Sequence, residues 1–353
     1  MFGGLAEVCS GDPGSASARS GLGYSVEFAS LGYALPTDVV DNDEFVRRCH
    51  ATLEADPAEI ARHSRMRTRR WCADGENSWT LAREAASNAL RAVPGLAREI
   101  DVVIATSSTT MPVLHAPEPE RPGHADLATL VVRDVLGRSC LGLDVKACYC
   151  TGFVRALQVA DGLLGNSRYR AALIVCTEQA SRLATAETNR SSFVFIVGDG
   201  AGAAVLRRRP YSGDTGLLDY NGVTDAEHLD LVGVGPDGQS MVMRGSRAAE
   251  VVAQVLVSRA RELLERNKLQ AADIDWLLPI QGHPAALDVL GTALGIDRNK
   301  ILWSGDVTGF SGSASIPVAL ARHVAAGQVR RGQLVLSVAA GAGLNSAGAL
   351  YRY

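Results

Sequence analysis

One stretch concentrates residues that could do chemistry: Leu141 to Leu157, LGLDVKACYCTGFVRAL. An apolar run ending in small residues and cysteine passes through Thr151-Gly152 into Phe153, Leu157, Ala160 and Leu164, spaced as one face of a helix. The pattern predicts strand, tight turn and helix, with Cys150 at the turn. A thiol over a helix N-terminus meets unpaired N–H groups and the positive end of the helix dipole, which favour the thiolate that attacks a carbonyl carbon. Cys150 is therefore the candidate nucleophile. Cys148-x-Cys150 lacks a second ligand pair at zinc-binding distance, so no metal and no cofactor are expected.

The chain that must position this turn has 353 residues, 47% hydrophobic and 21% charged, enough for one large or two fused cores. A net charge of −3 argues against a nucleic-acid or anionic membrane partner. Seven cysteines, an odd count without the density of a secreted scaffold, fit a reducing cytoplasm. No apolar run reaches the ~18 residues of a membrane span, and the Gly/Ser-rich start has no signal-peptide pattern, so residues 1–24 read as a flexible tail. Ser25 to Tyr33 reads as a strand. Helices are expected over Asp43–Leu53, Ala58–His63, Ser78–Ala92 and Ala125–Leu136, with a buried strand over Ile100–Ala105. Arg65 to Trp71, RMRTRRW, is densely cationic: a solvated face, or a contact for phosphates of a carrier or coenzyme. Residues 109–124 form a proline-rich loop carrying His115 and His124.

The chain repeats itself. ALQVADGLLGNSRYRAALIV (156–175) and ALARHVAAGQVRRGQLVLSV (319–338) are equally long, place Arg168 and Arg331 identically, and run from a helix into an apolar strand. Ile100-Asp101-Val102 is echoed by Ile274-Asp275-Trp276. Two copies of one α/β unit are expected, residues 25–210 with the nucleophile and residues 211–353. In this duplication Cys150-Thr151-Gly152-Phe153 answers Thr308-Gly309-Phe310-Ser311, and a pocket between the halves is a natural site.

These pieces carry a family resemblance over nearly the whole chain after residue 24. Asp144 through Cys150-Thr151-Gly152-Phe153, the run Gly198 to Leu206 (GDGAGAAVL), Trp276-Leu277-Leu278-Pro279 and Gly341 to Tyr353 resemble the ketoacyl-ACP synthase III branch of the thiolase superfamily. The resemblance implies an α/β thiolase fold, duplicated and five-layered αβαβα, in a homodimer joined through the sheet edge near Cys140 to Lys146. It implies an acyl group carried on cysteine. The glycine-rich run is read as close backbone packing beneath that cysteine. The spacing from Asp144 is one residue longer than the family's, so an insertion lies within KACYC; aligned through C-x-G-F the nucleophile is Cys150, with Cys148 as its rival.

The resemblance breaks at the family's histidine and asparagine. Ile280-Gln281-Gly282-His283 and Val307-Thr308-Gly309-Phe310-Ser311 put Ile280 and Phe310 at those positions, and neither donates a side-chain hydrogen bond. In decarboxylative condensation the two donors hold an enolate oxygen, each worth ~3 kcal/mol of barrier. Acyl transfer needs less: a thiolate, an oxyanion hole and a base. By resemblance the hole is built from the backbone N–H groups of Cys150 and Ala342. His283 is the candidate base, or else the cap of the helix begun by Pro284; His115 and His124 are weaker candidates. Carrier contacts carried over from the family are Arg190, Gly245 and Ser246. The expected function is acyl transfer from an acyl carrier protein or coenzyme A thioester to a small-molecule acceptor, in polyketide-type or other specialised metabolism and without decarboxylation. The alternatives are a catalytically reduced subunit paired with an active homologue, or an atypical C–C condensing enzyme.

Overall fold

Apolar strands that alternate with amphipathic helices pack here as two sheets with helices between and outside them. The computed structural model of the chain describes residues 21–49, 56–109, 126–146, 149–185, 192–234 and 241–353. The first sheet is built from β1 (Tyr24–Ala34), β2 (Ile100–Thr106), β3 (Leu141–Asp144), β4 (Ala171–Gln179) and β5 (Asp199–Pro210), in the order β1-β5-β4-β2-β3. The second contains β6 (Gly216–Thr224), β7 (Trp276–Pro279), β8 (Leu334–Gly341) and β9 (Asn345–Arg352), in the order β7-β8-β9-β6. A parallel bridge from Leu277 to Ile301 stands where a fifth strand would answer β3. The two orders, and their parallel and antiparallel pairings, correspond element for element.

Helix α1 (Ser78–Arg91) covers the outer face of the first sheet. Helices α2 (Gly152–Leu164) and α5 (Ser315–Ala325) fill the layer between the sheets, and α3 (Gly245–Arg266) with α4 (Pro284–Leu294) covers the second sheet. The result is five layers, αβαβα. The core between the sheets draws on both, joining Ile104 and Ile174 to Leu336 and Leu350 through Phe153 and Leu320, all fully buried. The repeat is chemical as well as topological. Asp101 accepts the Arg170 N–H at 2.8 Å where β4 begins, and Asp275 accepts the Leu334 N–H at 2.7 Å where β8 begins. Each carboxylate satisfies a backbone donor that the sheet leaves open.

The helix expected from Asp43 is described over Asn42–Cys49, with residues 50–55 outside the described residues. The one expected over 125–136 is α-helical for Leu127–Val131 and then widens to a π turn, Val132–Leu136. The tail to residue 20 and most of the proline-rich loop, with His115 and His124, lie outside the described residues. Among the described residues no helix is long and apolar enough to cross a membrane.

The cationic segment divides: the Arg65 and Arg67 side chains are 52% and 72% exposed, as on a solvated face, whereas Arg69 is buried. Arg65 pairs with Asp288 at 2.6 Å and Arg67 with Asp306 at 2.5 Å, so two of its arginines strap the segment onto the second half. Arg69 is fully buried and donates to the carbonyls of Asp41 (3.1 Å) and Phe195 (3.1 Å) and to Asn42 Oδ1 (2.7 Å). Periodicity could not separate these fates, because burial of an arginine depends on acceptors supplied from elsewhere in the chain.

Candidate active site

Cys150 sits in a short 3₁₀ turn, Tyr149–Thr151, immediately before α2. The residue ahead of it, Tyr149, has φ of 44°, a left-handed conformation that costs a non-glycine residue energy. Cys148 itself lies outside the described residues. The end of β8 presses against the turn. A Cβ on Gly341 would stand 2.8 Å from the Cys150 nitrogen, so only glycine allows this approach. From below, Gly202 of the glycine-rich run lets β5 meet α5, where a Cβ would stand 2.8 Å from Pro317. Its neighbour Asp199 accepts the Ser181 N–H (2.7 Å), the Ser181 hydroxyl (2.7 Å) and the Cys72 N–H (2.8 Å), pinning the loops around the site. The run is a packing and anchoring device.

The thiol opens into a cavity of about 590 Å³. Ile280 and Phe310 line it and are nearly buried, with exposures of 5% and 6%. Phe310 meets Phe193 edge to face, with ring centroids 5.4 Å apart. Its main chain is fixed by the bonds Phe310 N–H to Ile196 carbonyl (2.6 Å) and Gly198 N–H to Phe310 carbonyl (2.9 Å). Gln281 is buried and holds its loop, donating to the carbonyls of Pro279 (2.7 Å) and Leu302 (3.1 Å) and accepting the Ser304 N–H (2.7 Å). These bonds fix the loop that brings Ile280 to the cavity wall. Ala342, in the turn after β8, also lines the cavity beside Cys150, and its carbonyl accepts Asn345 Nδ2 at 2.7 Å. Gly245 and Ser246 open α3, whose next turns supply Ala249, Val252, Ala253 and Leu256 to the wall. Arg190 lies outside the described residues.

His283 stands at the exposed rim of this cavity and is the N-cap of α4: its Nδ1 accepts the Ala285 N–H at 3.3 Å. The proton is then on Nε2. Burial of one face and the nearby Arg65 and His63 charges hold its pKa below the ordinary 6.5, so the ring is neutral at pH 7. The cap anticipated as the rival role for His283 is therefore present in the structure. His228, paired with Asp225 at 2.7 Å, and His323, bonded to Gln328 at 2.7 Å, lie off the cavity wall.

The expectation of a ready thiolate is corrected by the surroundings of Cys150. Burial, and next the Glu178 charge, push the thiol up to about 12. Desolvation is the largest cause, and it penalises the anion. Sequence reasoning missed Glu178 altogether. Its one signal was an acid closing the otherwise apolar run of β4, AALIVCTEQ.

The fold and this cysteine turn define the class. Residues 143–226 match the 3-oxoacyl-[acyl-carrier-protein (ACP)] synthase III family and residues 264–353 match its C-terminal part. The chain belongs to the beta-ketoacyl-[acyl-carrier-protein] synthase III family, and its architecture is the thiolase fold. It is 33% identical over 335 residues to the enzyme of that name from Paramagnetospirillum magneticum, covering 92% of this chain and 98% of that one. Against the one from Rhodospirillum centenum it is 32% identical over 330 residues, 91% and 97% of the two chains. Among solved structures, the 3-oxoacyl-[acyl-carrier-protein] synthase III of Aquifex aeolicus superposes with a TM-score of 0.81 at 25% identity, over 93% of this chain and 100% of that one. The priming beta-ketosynthase from the R1128 polyketide biosynthetic pathway superposes with 0.76 at 26% identity, over 93% and 96%.

Proposed function

We propose that this synthase III homologue transfers acyl groups through Cys150 without decarboxylating condensation, in polyketide-type or other specialised metabolism. The observation that carries the reading is the thiol opening onto a cavity lined by Ile280 and Phe310, residues that the family resemblance aligns with a histidine and an asparagine. A thioester of an acyl carrier protein or coenzyme A delivers its carbonyl to Cys150, with the backbone N–H groups of Cys150 and Ala342 receiving the oxyanion. The acyl group lies against Ile280, Phe310 and Phe193, where an ionised carboxylate would be stripped of water without a donor to replace it. Gly245, Ser246 and Arg190 are the proposed contacts for the carrier arm. A small-molecule hydroxyl, amine or thiol then takes the acyl group, with His283 as its base. The proposed assembly is a cytoplasmic homodimer joined along β3, an edge strand whose Leu141 is 39% exposed.

Intact-protein mass spectrometry after incubation with a panel of acyl thioesters tests the reading. The expected result is one acyl mass gained, lost in Cys150→Ala and retained in Cys148→Ala. The opposite pattern would transfer the role to Cys148. A second reading, a catalytically reduced subunit paired with an active homologue, is favoured by the lack of a side-chain donor at Ile280 and Phe310. It predicts no mass gain with any thioester and co-purification with a second ketosynthase-like chain.

A further inference from the structure

Two depressions in the surface share a wall. The cavity that holds the Cys150 thiol and a groove of about 640 Å³ on the second half are both lined by Ala253, Gln254 and Val289. Ala253 lies on α3 and Val289 on α4, so the cavity continues between these two helices into the groove. The first turn of α3 lies on the nucleophile's side, where Ala248 clusters with Ala342 and Tyr149. From there the path runs down α3 past Ala253 and Val257 to Arg261. The passage is open because its walls are small, Ala249 and Ala253 from α3 and Ala285 and Ala286 from α4.

The charged lips of the groove are already engaged. Arg261 Nη2 donates to the Ala293 carbonyl at 2.8 Å at the far end, and Glu262 pairs with Arg259 at 2.6 Å. What remains on the path is hydrocarbon: Val289 is 50% exposed, and Ala253, 6% exposed, forms the waist between cavity and groove. An aliphatic chain covers such a path and asks for no hydrogen bond. The helix sets its length. Ala249 to Arg261 is a step of twelve residues, a rise of about 18 Å. An extended carbon chain advances about 1.2 Å per atom, as the backbone does, so a tail of about 15 carbons fits.

We propose that the acyl group handled at Cys150 is a long aliphatic one, whose tail leaves the cavity between α3 and α4 and lies along the outer groove toward Arg261. Ala253 and Val289 are the residues that set its length. This substrate class rests on the proposed transfer through Cys150: the carrier arm keeps the first turn of α3, at Gly245 and Ser246, and the tail takes the turns beyond. Selectivity comes from transfer out of water, about fourfold per fully buried methylene and roughly twofold where the groove is open on one side.

The test is the rate at which N-alkylmaleimides, from ethyl to hexadecyl, add to the Cys150 thiol in the full-length protein. Rates are read by peptide mass spectrometry and divided by those of free cysteine with the same reagent. The natural protein should show a corrected rate that climbs about tenfold or more from ethyl to dodecyl. Ala253→Phe should abolish the climb beyond butyl. Val289→Trp, at an exposed position that accommodates the ring, should do the same with little change for ethyl, and it decides should Ala253→Phe not fold. Ala293→Phe, at the far end, should slow only dodecyl and longer chains. A flat profile in the natural protein, or variants that slow ethyl and dodecyl by the same factor, overturns the inference. The profile reports the passage whether or not the protein transfers acyl groups. A climbing profile with no acylation by any thioester counts against the transfer reading and supports the passage; a flat profile with acylation by a short-chain thioester counts against the long tail alone.

Discussion

Below the thiol the structure is polar and over-determined; above it the structure is apolar. On the lower side Glu178 and Asp199 each collect donors from loops distant in sequence, and Gln281 and Arg69 do the same behind the upper wall. On the upper side Ile280, Phe310 and Phe193 present only hydrocarbon to the space where chemistry would occur. The hydrogen-bonded scaffold and the cavity wall are thus separable. Polar groups that close backbone hydrogen bonds are costly to lose wherever they lie, whereas a donor aimed into an empty cavity has no partner in the resting fold and can be replaced by hydrocarbon at no cost to packing.

The largest expected effect inverts the upper side. Ile280→His with Phe310→Asn should restore two donors to one enolate oxygen, and malonyl thioester decarboxylation, followed by carbon dioxide release, should rise on the order of 100-fold or more. The single changes should show much less, because the two groups act on one atom. Rapid release by the natural protein, dependent on Cys150, would show that some other group already reaches that oxygen.

Next in size is a change behind the wall. Arg69→Ala leaves the Asp41 and Phe195 carbonyls without their donor and opens a void beneath Phe45, over which the guanidinium lies at 4.6 Å from the ring centroid. A loss of about 3 kcal/mol in denaturant unfolding is expected. A loss under about 1 kcal/mol would mean that water enters and replaces the arginine, and that the scaffold is less exacting than its hydrogen bonds suggest.

What the sequence made legible follows the same division. The duplicated α/β unit and Cys150 at the head of its helix were readable, because periodicity and local motif are properties of contiguous residues. The depth of Arg69, the straps from Arg65 and Arg67 and the convergence on Glu178 were not. Each depends on partners more than 25 residues away, and the arginines alone read as one charged run. The surroundings of the thiol were hidden for a related reason. A helix N-terminus is visible in sequence, but the burial of the sulfur and the carboxyl of Glu178 are not.

The smallest effect concerns the rim. His283 caps α4 with a 3.3 Å bond at an exposed position, so His283→Ala should cost about 0.5–1 kcal/mol of stability, whereas His283→Asn, a good cap without a base, should cost little. If the imidazole serves the acceptor, both variants should lose acyl transfer alike, and only the alanine should lose stability; if it is a cap alone, asparagine should transfer normally. The pH dependence gives a second reading. The folded state holds His283 below the ordinary 6.5, so the unfolded chain takes up a proton first as pH falls. Stability from this residue is therefore full above about 6.5 and declines as pH drops below it, until the ring protonates in the folded state too. His283→Asn removes that decline while His323, also held below 6.5, keeps its own share in both proteins. Urea unfolding of the two between pH 7.5 and 5 should show the natural protein losing more stability on acidification. Parallel curves would mean that the ring is solvated in solution and free of its cap, which would return it to the upper, chemical side of the comparison.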